Sequence, residues 1–139
     1  ACYVMSPWVD LTISVNDSED SWQTNTHVDY LGFAGGNSPY PMIFDEGGHW
    51  LENLLTIDPA LVRRMPPVLM QCGDKEVLFS EIHLFRDLFQ QHNETDCHLE
   101  VYADMVHVFQ FFLDIDRNAQ HALKSAGNFL KRRIPVDDA

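Results

Sequence analysis

The chain opens on a continuous apolar run, Ala1-Cys2-Tyr3-Val4-Met5, which Ser6-Pro7 stops. A run of that length before a breaker predicts a short buried strand over 1–5. Residues 12–22, Thr12 to Trp22, are polar and acidic and predict a loop. A short helix is predicted from Asn25 to Leu31, stopped by Gly32, with Gly35-Gly36 following. Pro39, Pro41, Gly47 and Gly48 make residues 37–48 a loop. One or two helical turns are predicted over His49–Leu55. Asp58-Pro59 predicts the start of another short helix, because Pro suits the first turn.

Beyond Pro66-Pro67 the pattern sharpens. Val68-Leu69-Met70-Gln71-Cys72, closed by Gly73, predicts a strand buried on both faces, as in a parallel sheet. Ser80 is an N-cap residue type, and Ile82, Phe85 and Phe89 share one face of a predicted helix Glu81–Gln91. Leu99-Glu100-Val101-Tyr102 alternates and predicts a strand nearer an edge, with one face carrying Glu. A long amphipathic helix is predicted over Ile115–Arg133, with Ala119, Leu123, Ala126 and Leu130 as its apolar stripe. Its basic end, Lys131-Arg132-Arg133, suits the negative end of the helix dipole. Strand, irregular helical insert over about 25–65, strand, helix, strand, helix is the order of an α/β fold with a parallel sheet. Three strands are few for that class, and the chain begins inside the first of them. Further strands are therefore expected before Ala1.

Composition narrows the partners. The chain has 139 residues, the size of one domain, and its 45 % apolar share excludes general disorder. Its 9 basic and 21 acidic side chains give a net charge of −12, which repels phosphate backbones and excludes nucleic acid as an expected partner. No apolar run approaches the roughly 18 residues of a membrane helix, and no signal-peptide pattern is present. The triplets Asn16-Asp17-Ser18 and Asn93-Glu94-Thr95 leave a secretory route open beside a cytoplasmic one. Cys2, Cys72 and Cys97 are odd in number and set among apolar residues, so buried free thiols are expected. Cys97 and His98 are neighbours on a strand and point to opposite faces, so they cannot share an ion. Nothing has zinc-type spacing, and neither a metal nor another cofactor is expected.

Two residues stand where parallel sheets place function, at the carboxyl ends of strands. Glu76 follows the second strand in Gly73-Asp74-Lys75-Glu76-Val77-Leu78. His107 follows the third in Met105-Val106-His107-Val108-Phe109. An acid followed by a His, each on a strand-end loop, is the tail of a Ser…Asp/Glu…His order. In that chemistry the carboxylate fixes the imidazole tautomer and the imidazole shuttles the serine proton. Simpler roles stay open: an acid ahead of a helix can serve the dipole, and a His between Val and Phe can be a packing residue. No Gly-x-Ser-x-Gly turn occurs in the sequence. The glycines beside His49 precede it (Glu46-Gly47-Gly48-His49), which is the wrong arrangement for an oxyanion loop. The Phe109, Phe111, Phe112 cluster fits core packing or an acyl pocket, packing being the commoner role.

Three stretches together resemble one family. Ser6-Pro7-Trp8-Val9-Asp10-Leu11-Thr12, Pro66-Pro67-Val68-Leu69-Met70-Gln71-Cys72-Gly73-Asp74-Lys75-Glu76-Val77-Leu78 and Met105-Val106-His107-Val108-Phe109 are similar, in order and spacing, to motifs of the hormone-sensitive-lipase-like branch of the α/β-hydrolases. The resemblance implies a three-layer α/β-hydrolase-type parallel sheet. Residues 1–139 would form its C-terminal portion, the last three strands plus helices, incomplete alone. It implies a carboxylesterase or lipase acting on small-molecule esters, with Glu76 as catalytic acid and His107 as catalytic base. The nucleophilic serine and the oxyanion loop would come from the N-terminal half, in the same or a separate chain. Many members carry Asp where Glu76 stands. The stretch His49–Met65 is longer than the pattern. The alternative is a truncated, non-catalytic fragment or binding module on the same scaffold. The oligomeric state is left open.

Overall fold

The computed structural model describes residues 1–9, 21–33, 54–92 and 96–133. Three parallel strands, β1 (Cys2–Met5), β2 (Val68–Gly73) and β3 (Cys97–Tyr102), pair in the order β1-β2-β3. Cys2 stands opposite Val68, and Val68 opposite Cys97. Every residue of β2 is buried, which explains a continuous apolar run where a half-exposed strand would alternate. The three strands predicted within residues 1–139 are thus present, each within a residue or two of its predicted span.

Helix α4 (Phe79–His92) links β2 to β3, and α5 (Arg117–Lys131) follows β3. The two lie on opposite faces of the sheet. Val68 and Met70 pack against Phe85 and Phe89 of α4, while Leu69 packs against Ala126 and Phe129 of α5. Alternate β2 side chains therefore enter different layers, and the described residues form a helix–sheet–helix sandwich. Each large apolar side chain so buried contributes roughly 1.5–3 kcal/mol.

Several local expectations are corrected. Helix Asn25–Leu31 is replaced by two short helices, α1 (Ser21–Asn25) and α2 (Tyr30–Phe33), so Ser21 and Trp22 are helical and Gly32 lies inside α2. Long-range hydrogen bonds decide this break. The Asn25 amide donates to the backbone carbonyls of Asp74 and Glu76, and Asp29 accepts from the N–H groups of Leu31 and Val77. Ser80 does not cap its own helix, which begins one residue earlier. Its hydroxyl accepts from the Ser21 N–H, while the Ser21 hydroxyl accepts from the Ser80 N–H. The insert keeps a 3-10 turn at Leu54–Thr56 and helix α3 (Pro59–Val62), which Asp58 caps by accepting from the Ala60 N–H. The expectations on residues 12–20 and 34–53, including the turns before Leu54, lie outside the described residues. So do both glycosylation-type triplets.

The stripe of α5 is rotated from the expected one. Ala119, Ala122, Ala126 and Phe129 are buried, whereas Leu123 and Leu130 are half-buried. Small side chains let the helix approach β2, where the buried Gln71 amide donates to the Ala122 carbonyl at 2.8 Å. Asp116 caps α5 by accepting from the N–H groups of Asn118 and Ala119, so Ile115 stays outside the helix. On the Glu100 face of β3, Tyr102 is buried, Glu100 half-buried and His98 exposed. Glu100 accepts from Gln71, Tyr102 and Ser125. Of the thiols only Cys72 is buried, and Cys2 and Cys97 are half-buried.

Candidate active site

The site is built at the carboxyl ends of the three strands. After β2 the chain turns through Gly73–Leu78 into α4. The Glu76 side chain folds back toward the strand end, where its Oε2 accepts from the Gly73 N–H at 3.2 Å. The same oxygen accepts from the Ser6 hydroxyl at 2.7 Å. Ser6 lies one residue beyond β1, is buried, and holds a φ of 42°. After β3 the chain turns through Asp104, at φ 60°, and reaches His107 and Val108, the latter at φ 48°. Left-handed backbone at non-glycine residues is uncommon, and here three instances fall on strand-end loops of one site.

The two loops are stitched together. Backbone N–H groups of Asp74 and Lys75 donate to the carbonyls of Tyr102 and Met105, at 3.1 and 3.0 Å. The Asp74 carboxylate accepts from the Asp104 N–H at 2.7 Å. The Val108 N–H donates to the Ser6 hydroxyl oxygen at 3.1 Å. Contact this close requires Gly73, since a Cβ there would fall 1.9 Å from the Met105 carbonyl oxygen. Below Glu76, Asn25 braces the turn and the fully buried Asp29 holds the Val77 N–H. His107 is half-buried, with its ring edge-on to Tyr30 at 5.8 Å between centroids.

Two buried atoms on these strand-end loops, Glu76 Oε1 and His107 Nδ1, have no hydrogen-bond partner among the described residues. One is an acceptor and the other can donate, and buried polar atoms of this kind are normally paired.

Burial pushes the Glu76 carboxyl up from its usual range to about 7. The Ser6 and Gly73 hydrogen bonds pull it back, and the charge of Asp29 adds to the rise. Burial lowers the His107 midpoint, against an opposing pull from Asp29. Burial thus favours the neutral imidazole.

The raised Glu76 midpoint makes stability depend on pH. Between 4.5 and about 7 the folded state binds the Glu76 proton and the unfolded state does not. Stability therefore falls as pH rises through that window, by about 3 kcal/mol in all. The lowered His107 midpoint acts in the opposite sense below its ordinary 6.5, within the same window, and offsets part of the Glu76 contribution. Urea unfolding of the wild type and Glu76→Gln at pH 5 and pH 7.5 isolates the glutamate. We expect the wild type to lose stability relative to the variant as pH rises. A difference that does not change with pH would place the Glu76 charge in water.

The sequence-derived pair thus lies on two stitched loops. Sequence reasoning read Asn25 only as a helix start, passed over Asp29 and Tyr30, and used Ser6 as a strand stop and part of a motif. Ser6 had a signal, its place directly after a strand. The Phe cluster divides: Phe109 is buried against Tyr102, while Phe111 and Phe112 are exposed. An open cleft of about 520 Å³ lies elsewhere, between β3 and α5, and is lined by none of Ser6, Glu76 and His107. Among the described residues no group of three His, Cys, Asp or Glu could hold a metal ion. No helix among them is long and apolar enough to cross a membrane.

No protein-family model matches the sequence, and no curated protein does. Solved structures do match. A hormone-sensitive lipase from a metagenome library superposes with a TM-score of 0.73 at 22 % identity, over 95 % of this chain and 44 % of that one. An esterase from the bacterial hormone-sensitive lipase family gives 0.68 at 26 %, over 96 % and 43 %. A thermostable esterase from Pseudomonas putida gives 0.75 at 15 %, over 97 % and 42 %. The three-stranded sheet and its helices are therefore part of an α/β-hydrolase fold. The resemblance to hormone-sensitive-lipase-like esterases extends over nearly the whole chain. The chain spans less than half the length of these structures, a proportion consistent with a C-terminal half.

Proposed function

We propose that these residues are the C-terminal portion, the last three strands and their helices, of a serine carboxylesterase acting on small-molecule esters. The observation that carries this reading is the complementary pair of buried, unpaired atoms, Glu76 Oε1 and His107 Nδ1, on loops tied to one another. Closing that pair as Nδ1–H···Oε1 fixes the imidazole tautomer and leaves Nε2 free to accept a proton. His107 then takes the proton of a serine hydroxyl as that oxygen attacks the ester carbonyl. It returns the proton to the departing alcohol oxygen. In the second half-reaction it deprotonates the water that attacks the acyl-enzyme, and hands that proton back to the serine. Glu76 stabilises the imidazolium formed in each half. The serine and the donors to the oxyanion come from outside these 139 residues, on the remainder of the fold in the same or a separate chain.

The test is hydrolysis of a short-chain 4-nitrophenyl ester by the full-length protein. Glu76→Gln is expected to lower kcat by about 10²–10⁴-fold, because an amide no longer fixes the tautomer. Asp74→Asn is expected to stay within a few-fold of wild type, since an amide oxygen still accepts from the Asp104 N–H. An exchange of these two results would move the acid to Asp74. A full-length protein with no ester hydrolysis would favour the non-catalytic module, the reading suggested by a sequence without a nucleophile motif.

A further inference from the structure

Ser6 is unusual among the residues around the site. It is 3 % exposed, it holds left-handed backbone, and its single hydroxyl joins two loops far apart in sequence. Its backbone N–H donates to the Gln71 carbonyl at 2.8 Å, extending the β1–β2 ladder and fixing the residue against the sheet. The one hydroxyl proton goes to Glu76 Oε2, and the hydroxyl oxygen receives the N–H of Val108, the residue after His107. Both partners are held by the same atom.

We propose that Ser6 is the positioning residue of this site: its hydroxyl turns the Glu76 carboxylate so that Oε1 meets His107 and anchors the His107 loop through Val108. The inference rests on the esterase reading above. A carboxylate has two oxygens. With Ser6 and Gly73 both donating to Oε2, that oxygen is saturated and Oε1 is left for the imidazole. Without the hydroxyl, Oε2 keeps only the longer 3.2 Å bond from Gly73, and the carboxylate can rotate. The ionised form also loses its nearer donor, so Glu76 holds its proton to higher pH. A protonated Glu76 fixes the His107 tautomer poorly.

Ser6→Gly is the informative variant. Glycine is at home at φ 42°, so the backbone is kept while the hydroxyl goes. Ser6→Ala removes the same hydroxyl without that relief and serves as a second measurement. In the full-length protein with a 4-nitrophenyl ester, Ser6→Gly is expected to lower kcat about 10–100-fold, with KM within about twofold, a loss typical of an indirect, second-layer contact. The acid limb of the kcat/KM profile is expected to move to higher pH. That limb belongs to the coupled Glu76–His107 pair. The other titratable groups around it among the described residues are Asp29, Tyr30, Cys72, Asp74 and Asp104, and all are unchanged in the variant. A purely structural role would reduce active enzyme without moving the limb. Wild-type kcat with an unmoved acid limb in Ser6→Gly would overturn the proposal and leave the esterase reading standing. A full-length wild type that hydrolyses no ester would remove both.

Discussion

His107→Ala is expected to lower kcat for ester hydrolysis by at least about 10⁴-fold while the protein stays folded. The size follows from what the imidazole alone supplies. A serine hydroxyl is a weak nucleophile at neutral pH, and a base that removes its proton during attack sets the rate of both half-reactions. Neither buried carboxylate beside it among the described residues can stand in for it. Glu76 lies buried with one oxygen committed to Ser6 and Gly73, and Asp29 is committed to the N–H groups of Leu31 and Val77. The cost to the fold is expected to be small. His107 is half-buried, and the one hydrogen bond proposed for its ring is that to Glu76 Oε1, so truncation removes little packing. Circular dichroism and a melting curve within a few degrees of wild type would accompany the loss. Activity within tenfold of wild type would remove His107 from the mechanism and leave Glu76 without a role.

How far the site could be read from sequence depends on how far each residue reaches. The sheet was legible because its signals are local. Pro66-Pro67 and Gly73 bracket β2, and a strand buried on both faces needs an apolar run. The strand-end positions of Glu76 and His107 were legible for the same reason: each follows a strand within a few residues. The helices before the insert were not. Asn25 and Asp29 break the expected helix because they serve carbonyl and N–H groups about fifty residues away. The phase of α5 slipped by one residue because the helix must approach Gln71, a polar side chain that an apolar count passes over. Glu100 marked β3 as nearer an edge, and β3 is the end strand of the described sheet; not legible was that Glu100 is also the hub of a partly buried network reaching Gln71, Tyr102 and Ser125. The motif that contains Ser6 was visible, but the role of its hydroxyl exists only once residues 6, 76 and 108 have met.

The largest effect on stability is expected at Gly73. A methyl group there would place its carbon 1.9 Å from the Met105 carbonyl oxygen and 2.3 Å from the carbonyl carbon. Neither atom is a flexible side-chain end. Both belong to the backbone that leads to His107, and the same carbonyl already receives the Lys75 N–H. Relief therefore requires the His107 loop to move away from the β2 turn. That movement would break the Lys75–Met105 bond and strain the neighbouring Asp74–Tyr102 bond. Gly73→Ala is expected to destabilise the fold by about 4 kcal/mol or more, in the range reserved for severe clashes and broken networks. Where the variant still folds at low temperature, its ester hydrolysis is expected to fall as well, because the displaced loop carries His107, the base in the proposed mechanism. Gly127→Ala provides the contrast. Gly127 lies in α5 with open space where its Cβ would be. There the same substitution is expected to stabilise the helix by about 0.5–1 kcal/mol. Urea unfolding of the two variants reads both signs in one experiment. A Gly73→Ala protein within about 1 kcal/mol of wild type would mean that the two loops do not approach this closely, and the pairing of Glu76 with His107 would lose its support.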